Sequence, residues 1–110
     1  MKVEQKDNQT IIKDTQGNCE LFLEKLTHEL HVFTTQNLII DLSHNSKVTN
    51  IEVKQFVAIS KLHKKSKKSF VIVAKDIDFT SVPASLTVVP SVLEAHDIIE
   101  MEEIERDLGF

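Results

Sequence analysis

The chain has 110 residues, a formal net charge of −4, six Phe and neither Trp nor Tyr. This length suits one domain with one core, and only two Gly and two Pro argue against disorder and a loop-rich all-β fold. A single cysteine, Cys19, excludes an internal disulfide and predicts a reducing, cytoplasmic location. No apolar run approaches the roughly 20 residues that span a bilayer, and the first ten residues lack the apolar core of a secretion signal. We therefore expect no membrane insertion.

The first half of the chain predicts a hairpin, a helix and a buried strand. Two short strands, Lys2–Gln5 and Thr10–Lys13, flank a polar turn. From Cys19 to Phe33 the apolar residues recur at helical spacing, which predicts a helix with Cys19 on its apolar face. The next apolar run, Leu38–Leu42, is interrupted only by Asp41, as in a strand that is covered on both faces.

A polar segment, residues 43–52, follows this strand, and we call it the crest. Thr49 and Glu52 have the spacing of a capping box, so a second helix is expected to begin there. Its apolar residues include Val53 and Phe56 on one face. Five lysines mark its C-terminal end, where the helix dipole favours positive charge: Lys61, Lys64, Lys65, Lys67 and Lys68.

The remaining residues predict two more strands and a last helix. Ser69–Ala74 reads as a buried strand, 75–86 as an irregular polar segment, and Thr87–Val89 as a short strand. Ser91 begins an acidic helix, and Gly109 provides a natural stop. Buried strands that alternate with helices predict one α/β domain over residues 1–110, with a mixed, mostly parallel sheet of four to five strands and helices packed on it.

Catalytic and metal-binding patterns are weak in this sequence. Glu24, His28 and His31 share one side of the first helix, which is expected to face solvent without a cavity. The sequence has no G-x-S-x-G, G-x-G-x-x-G or G-K-[ST] motif. One lysine cluster on an acidic chain does not provide the broad basic face that nucleic acids need. We therefore expect no catalytic residues, no metal, no cofactor and no nucleic acid.

The order of elements, together with several short segments, resembles a divergent STAS domain, the module of anti-sigma factor antagonists and of the cytoplasmic tails of sulfate transporters. The resemblance covers nearly the whole chain. It rests on the strand L-I-I-D-L-S at Leu38–Ser43, on the helix near Asn50, on the strand Phe70–Val73, and on V-P-S-V-L-E-A at Val89–Ala95. It implies a regulatory protein that is not an enzyme.

One departure from the family pattern concerns the phosphorylation switch. Antagonists of this family carry D-S-S-G at the start of the second helix, where a kinase phosphorylates a serine or threonine. In this chain Asn50 occupies the acceptor place and Thr49, one residue away, is the possible phosphoacceptor. Because Glu52 would repel a phosphate in the first turn, we expect no working phosphoserine switch.

The closing segment, residues 95–110, resembles a group of small bacterial STAS-like proteins that sometimes carry a ribonuclease Z label. The enzyme of that name needs an H-x-H-x-D-H metal cluster, which this sequence lacks. We therefore regard the nuclease label as unsupported by the residues.

We predict from these patterns a regulatory or adaptor protein, a monomer or weak homodimer, that binds a protein partner such as a kinase-like anti-sigma factor. Its predicted partner-binding residues all lie on the crest: His44, Asn45, Ser46, Lys47, Thr49, Asn50 and Glu52. Gln55 is a further candidate. Two alternatives stay open. One is a metal-dependent hydrolase that gathers His44, Asp76 and Asp78 at strand ends, and the other is a module that binds a small apolar ligand or lipid between sheet and helix.

Overall fold

A computed structural model describes residues 1–6, 8–45 and 48–109 of the protein. Five strands and four helices follow one another in the order β1 (Lys2–Lys6), β2 (Gln9–Lys13), α1 (Cys19–Glu29), β3 (Asn37–Asp41), α2 (Asn50–Lys54), α3 (Val57–Lys64), β4 (Phe70–Val73), β5 (Thr87–Val89) and α4 (Val92–Asp107). A short 3₁₀ turn at Leu30–Phe33 extends α1, and another at Phe79–Ser81 lies in the connection from β4 to β5.

The strands form one mixed sheet in the order β1-β2-β3-β4-β5. The pair β1–β2 is antiparallel, and the three other pairs are parallel, which confirms the α/β class and the mostly parallel sheet. Because β2 to β5 run in the same direction, their carboxyl ends share one edge of the sheet, and their first residues share the opposite edge. We call these the carboxyl edge and the amino edge.

Two apolar clusters cover the two faces of the sheet. On the first face, Leu38 and Ile40 pack with Phe22 of α1 and Phe56 beside α3, and the two phenyl rings lie 6.3 Å apart. On the second face, Ile39 packs with α4. From β2 to β5, each strand lies next to the one that precedes it in the chain, always on the same side. Crossover connections of one hand therefore place all segments that connect these strands on the first face of the sheet. Burial of each large apolar side chain contributes about 1.5–3 kcal/mol to the free energy of unfolding.

The two predicted helices on the first face differ in detail from the sequence pattern. The run Cys19–Phe33 is α-helical only to Glu29, and a tighter 3₁₀ turn completes it. The second helix divides between Lys54 and Val57 into α2 and α3. Lys67, after α3, has a positive φ of 61°, a conformation common just past a helix end. Among the described residues, no helix is long and apolar enough to cross a bilayer.

Candidate functional site

The carboxyl edge is held together by backbone hydrogen bonds between the strand ends. The Asp14 N–H donates to the Asp41 carbonyl over 3.2 Å, and the Leu42 N–H donates to the Val73 carbonyl over 2.8 Å. The Asp41 carboxylate accepts from the Ser43 N–H at 2.9 Å, which turns the chain immediately after β3. This rigid base carries the crest.

The start of α2 has the capping box that the sequence predicts. The Glu52 N–H donates to Thr49 Oγ1 over 3.2 Å, and the Thr49 N–H donates to Glu52 Oε1 over 3.2 Å. The Thr49 hydroxyl also lies 3.3 Å from Glu52 Oε1. A phosphate on Thr49 would therefore meet a carboxylate at hydrogen-bond distance and would break the cap. Thr49 is thus the N-cap of α2, and whether it is phosphorylated stays a prediction.

Asn50 links the crest to the segment that follows β4. Its Nδ2 donates to the Asp78 carbonyl over 2.7 Å, and its Oδ1 accepts from the Asp78 N–H at 2.9 Å. One side-chain amide thus satisfies both polar groups of one residue's backbone, as a neighbouring strand would. The Asn50 side chain thus joins the start of α2 to the segment that follows β4.

Asp78 in turn orders its own segment. Its carboxylate accepts from the Thr80 N–H at 3.0 Å, from the Thr80 hydroxyl at 2.5 Å and from the Ser81 hydroxyl at 2.8 Å. These hydrogen bonds from Thr80 and Ser81 hold the pKa of Asp78 below its usual value. The carboxylate therefore stays charged while it caps the 3₁₀ turn.

Each of the two residues joined across the carboxyl edge is followed by an exposed apolar side chain. Ile51 follows Asn50 and is 71% exposed, and Phe79 follows Asp78 and is 40% exposed. Each of these side chains therefore directly follows, in the chain, one of the two residues that the Asn50–Asp78 hydrogen bonds join. The sequence contained one signal, since Ile51 lies off the helical face of Val53 and Phe56, but nothing in it pointed to Phe79.

The other predicted partner-binding residues differ in what the structure says of them. His44 and Thr49 are exposed, whereas Asn45 and Glu52 are half-buried. The Asn45 N–H donates to the Leu42 carbonyl over 3.0 Å. Ser46 and Lys47 lie outside the described residues. Gln55 is exposed at the C-terminal end of α2. The structure thus brings Thr49, Asn50 and Glu52 together.

Features that could support catalysis are scarce at this edge. Glu24, His28 and His31 are exposed, as expected. Within residues 1–6, 8–45 and 48–109, no three His, Cys, Asp or Glu side chains gather as a metal site would require. Burial raises the pKa of Cys19 to about 12, with smaller contributions from Glu52 and Asp14, so its thiolate is negligible at neutral pH. The prediction that Cys19 fills the core agrees with its burial.

The amino edge contains a buried polar network instead. Asn37, fully buried, accepts from the Ser69 N–H at 2.9 Å and donates to Glu103 Oε1 over 2.6 Å. Arg106 donates to the same Asn37 Oδ1 over 3.3 Å and to Ser69 Oγ over 3.2 Å. The exposed Asn8 also donates to Glu103, so the network as a whole joins four chain segments, those of Asn8, Asn37, Ser69 and α4.

His63 extends the buried polar groups of the amino edge. Its Nε2 donates to the Gln36 carbonyl over 2.7 Å, since a carbonyl can only accept, and its ring lies 6.0 Å from the Phe70 ring. Burial lowers the pKa of His63 more strongly than the hydrogen bond to Gln36 raises it. The imidazole is therefore neutral over a wider pH range in the folded chain than in the unfolded one.

Two grooves border α3. One of about 530 Å³ lies between the C-terminal ends of α3 and α4, with Lys64, Lys67 and Lys68 on one side and Glu102, Glu105 and Arg106 on the other. The other, of about 270 Å³, lies between α1 with its 3₁₀ turn and α3. No described residue of the crest lines either groove.

No protein-family model matches the chain, and no characterised protein matches it at a significant level. The resemblance to STAS domains therefore stays a prediction, and the function must be argued from the geometry described above.

Proposed function

We propose that this protein is a non-enzymatic regulatory or adaptor protein that binds another protein through its carboxyl edge. The binding surface consists of the crest together with the segment that Asn50 holds against it. On this proposal the chain is a cytoplasmic, STAS-like domain of the anti-sigma factor antagonist type that binds neither nucleic acid nor a metal. The partner is a kinase-like anti-sigma factor or another regulatory protein.

One observation carries the proposal. The Asn50 amide binds both the N–H and the carbonyl of Asp78, and each of these two residues is followed by an exposed apolar side chain, Ile51 in the first turn of α2 and Phe79 in the 3₁₀ turn after β4. Apolar anchors dominate the energy of most protein interfaces. A surface that is already ordered loses less conformational entropy when a partner binds. The hydrogen bonds between Asn50 and Asp78 therefore order the segments that carry the two apolar side chains before a partner binds.

Charges near these anchors favour specific binding over high affinity. Glu52 follows Ile51 in the chain and Asp78 precedes Phe79. Asp78 stays ionised because hydrogen bonds from Thr80 and Ser81 lower its pKa. Charged groups at an interface rim mainly select the partner and speed its approach. With only two apolar anchors, we expect a transient complex with a modest interface area.

The experiment that tests this proposal compares partner capture by matched surface variants. Tagged wild-type protein, Ile51→Asp, Phe79→Asp and the control Val32→Asp are used to recover proteins from the source cells, and recovery is quantified by mass spectrometry. Val32 is 62% exposed and follows α1, away from the crest, so its substitution introduces a similar charge elsewhere.

We expect one set of partners to be recovered equally by the wild type and Val32→Asp, and at least tenfold less by the two crest variants. This factor corresponds to about 1.4 kcal/mol of lost binding free energy. Circular dichroism of each variant verifies that the fold is retained. Equal recovery by all four proteins would remove the carboxyl edge as the binding surface.

A further inference from the structure

The exposed side of α4 combines an apolar stripe with negative charge. Met101, Ile104 and Leu108 recur at i, i+3 and i+7 and are exposed, on the side of the helix away from the buried Ala95 and Ile99. Exposed carboxylates of the same helix border this stripe, at Asp97, Glu100 and Glu105. We call this side of the helix the acidic stripe.

The groove between α1 and α3, on the opposite face of the sheet, has complementary properties. The described residues that line it contain no carboxylate: one wall carries Thr27, Leu30, His31 and Thr34, and the other carries Leu62, His63 and Ser66. Its volume of about 270 Å³ can hold one large apolar side chain. Lys61 and Lys65 are exposed beside Leu62 on α3, and neither makes an ion pair with a described carboxylate.

These two surfaces lie at the same height of the molecule. Helices α3 and α4 both follow a strand and run back from the carboxyl edge towards the amino edge, so their C-terminal halves are level. They cover opposite faces of the sheet, because α3 belongs to the first apolar cluster and α4 to the second. A simple shift of one molecule perpendicular to the sheet therefore brings the acidic stripe of one copy over the lysines of the next.

We infer that copies of this chain associate head to tail, with the acidic stripe of one copy packed into the α1–α3 groove of the next. An apolar side chain of the stripe enters the groove, and the carboxylates on either side approach Lys61 and Lys65. Because the two surfaces differ, the contact is heterologous and adds further copies in a row instead of closing as a two-fold dimer. The crest lies at the carboxyl edge, outside this contact, and stays accessible in every copy.

The strength of this association depends on salt. Exposed opposite charges attract over about 30 Å at an ionic strength of about 0.01 M and over only about 3 Å at about 1 M. In low salt, the weight-average mass of the wild type should rise with protein concentration above the 12.5 kDa of one chain. In high salt, it should fall back towards that of one chain. Analytical ultracentrifugation measures both.

Two variants that block different surfaces test the arrangement directly. Leu62→Asp places a charge in the groove, and Ile104→Lys places one in the stripe; the two side chains are similarly exposed, at 57% and 59%, so the fold should tolerate both. Each variant keeps the other surface intact. Leu21→Asp, on the exposed side of α1 and lining neither surface, is the control.

We expect each blocked variant alone to sediment as a single chain, and their equimolar mixture to reach twice the mass of one chain and no more. The control should associate like the wild type. If the wild type stays a single chain in low salt, the inference is wrong. A groove that binds a different protein would give this same result. The inference would also be wrong if the blocked variants associated alone, or if their mixture stayed monomeric.

Discussion

The two edges of the sheet use polar side chains in opposite ways. At the amino edge, Asn37, Ser69 and His63 are buried, and their hydrogen bonds join residues that are 27 to 69 positions apart. At the carboxyl edge, most polar contacts are local and exposed, such as the Thr49–Glu52 cap, whose residues are three positions apart. The side-chain link from Asn50 to Asp78, which are 28 positions apart, is long-range.

This difference separates what fixes the fold from what is free to bind. A buried donor or acceptor must find a partner, so the amino-edge network constrains the relative positions of several elements. Local caps constrain only their own turns and leave the neighbouring surface open to change. We therefore expect substitutions at the amino edge to affect global stability, and substitutions at the carboxyl edge to affect local opening and binding.

The largest effect is expected at Asn37. Asn37→Ala leaves the buried Ser69 N–H without its acceptor and takes one partner each from Glu103 and Arg106. The free energy of unfolding should fall by about 3 kcal/mol, as measured by urea denaturation with an unchanged m-value. Asn8→Ala removes an exposed contact with the same Glu103 carboxylate and should cost at most about 0.5 kcal/mol. Equal losses in both variants would show that the burial of Asn37 does not determine the cost of losing its hydrogen bonds.

A second prediction concerns the pH dependence that His63 brings to the amino edge. Burial lowers the pKa of His63, so the unfolded chain binds a proton more readily than the folded one. As the pH falls below the ordinary value of 6.5, stability should therefore be lost, at up to about 1.4 kcal/mol per pH unit. Above that value the contribution of His63 to stability is fully present.

His63→Gln tests this contribution, because glutamine can keep an N–H donor near the Gln36 carbonyl but does not titrate. Between about pH 5 and 7 this variant should lose less stability on acidification than the wild type. His31→Gln, at an exposed histidine, is the control and should retain the slope of the wild type. If both variants have the same slope, the acid sensitivity comes from other groups.

The smallest effect is expected at Asn50. Asn50→Ala removes both hydrogen bonds to the backbone of Asp78, but water can reach these exposed groups, so the cost should be about 1 kcal/mol. Cys19, whose thiol is buried near Glu52, reports local opening through its rate of reaction with a thiol reagent. That rate should rise about fivefold in the variant.

Gln55→Ala is the matched control for Asn50, since Gln55 is exposed at the end of the same helix. Its thiol should react at the rate of the wild-type protein. An unchanged rate in Asn50→Ala would show that the link does not hold the carboxyl edge closed, and the proposed binding surface would lose its preorganisation.

Local patterns made much of the fold predictable from the sequence. The apolar run Leu38–Leu42 predicts a strand that is buried on both faces, and β3 is indeed buried at every position. The Thr49–Glu52 cap was readable because both partners lie within one helical turn. By contrast, the second helix divides after Lys54 although residues 50–64 contain no Gly or Pro that would predict a break. The division therefore depends on tertiary packing.

Long-range polar contacts account for what the sequence did not predict. Arg106 lies 69 positions from Asn37, and its neighbours on α4 suggested only a solvated acidic helix. Asn50 had the features of a helix start, and nothing in its neighbourhood identified Asp78, 28 positions later, as its partner. Phe79 therefore belongs to the proposed binding surface only through this contact, which the sequence does not show.

The order of elements along the chain has a consequence for how the protein is made. All five strands precede α4, the helix that covers Ile39, Val71 and Val73 on the second face of the sheet. During translation, this β-branched surface forms before its cover has left the ribosome, and such surfaces favour aggregation of nascent chains. The rate at which residues 92–107 emerge, or a chaperone that shields the sheet until then, should therefore govern the yield of folded protein in the cell.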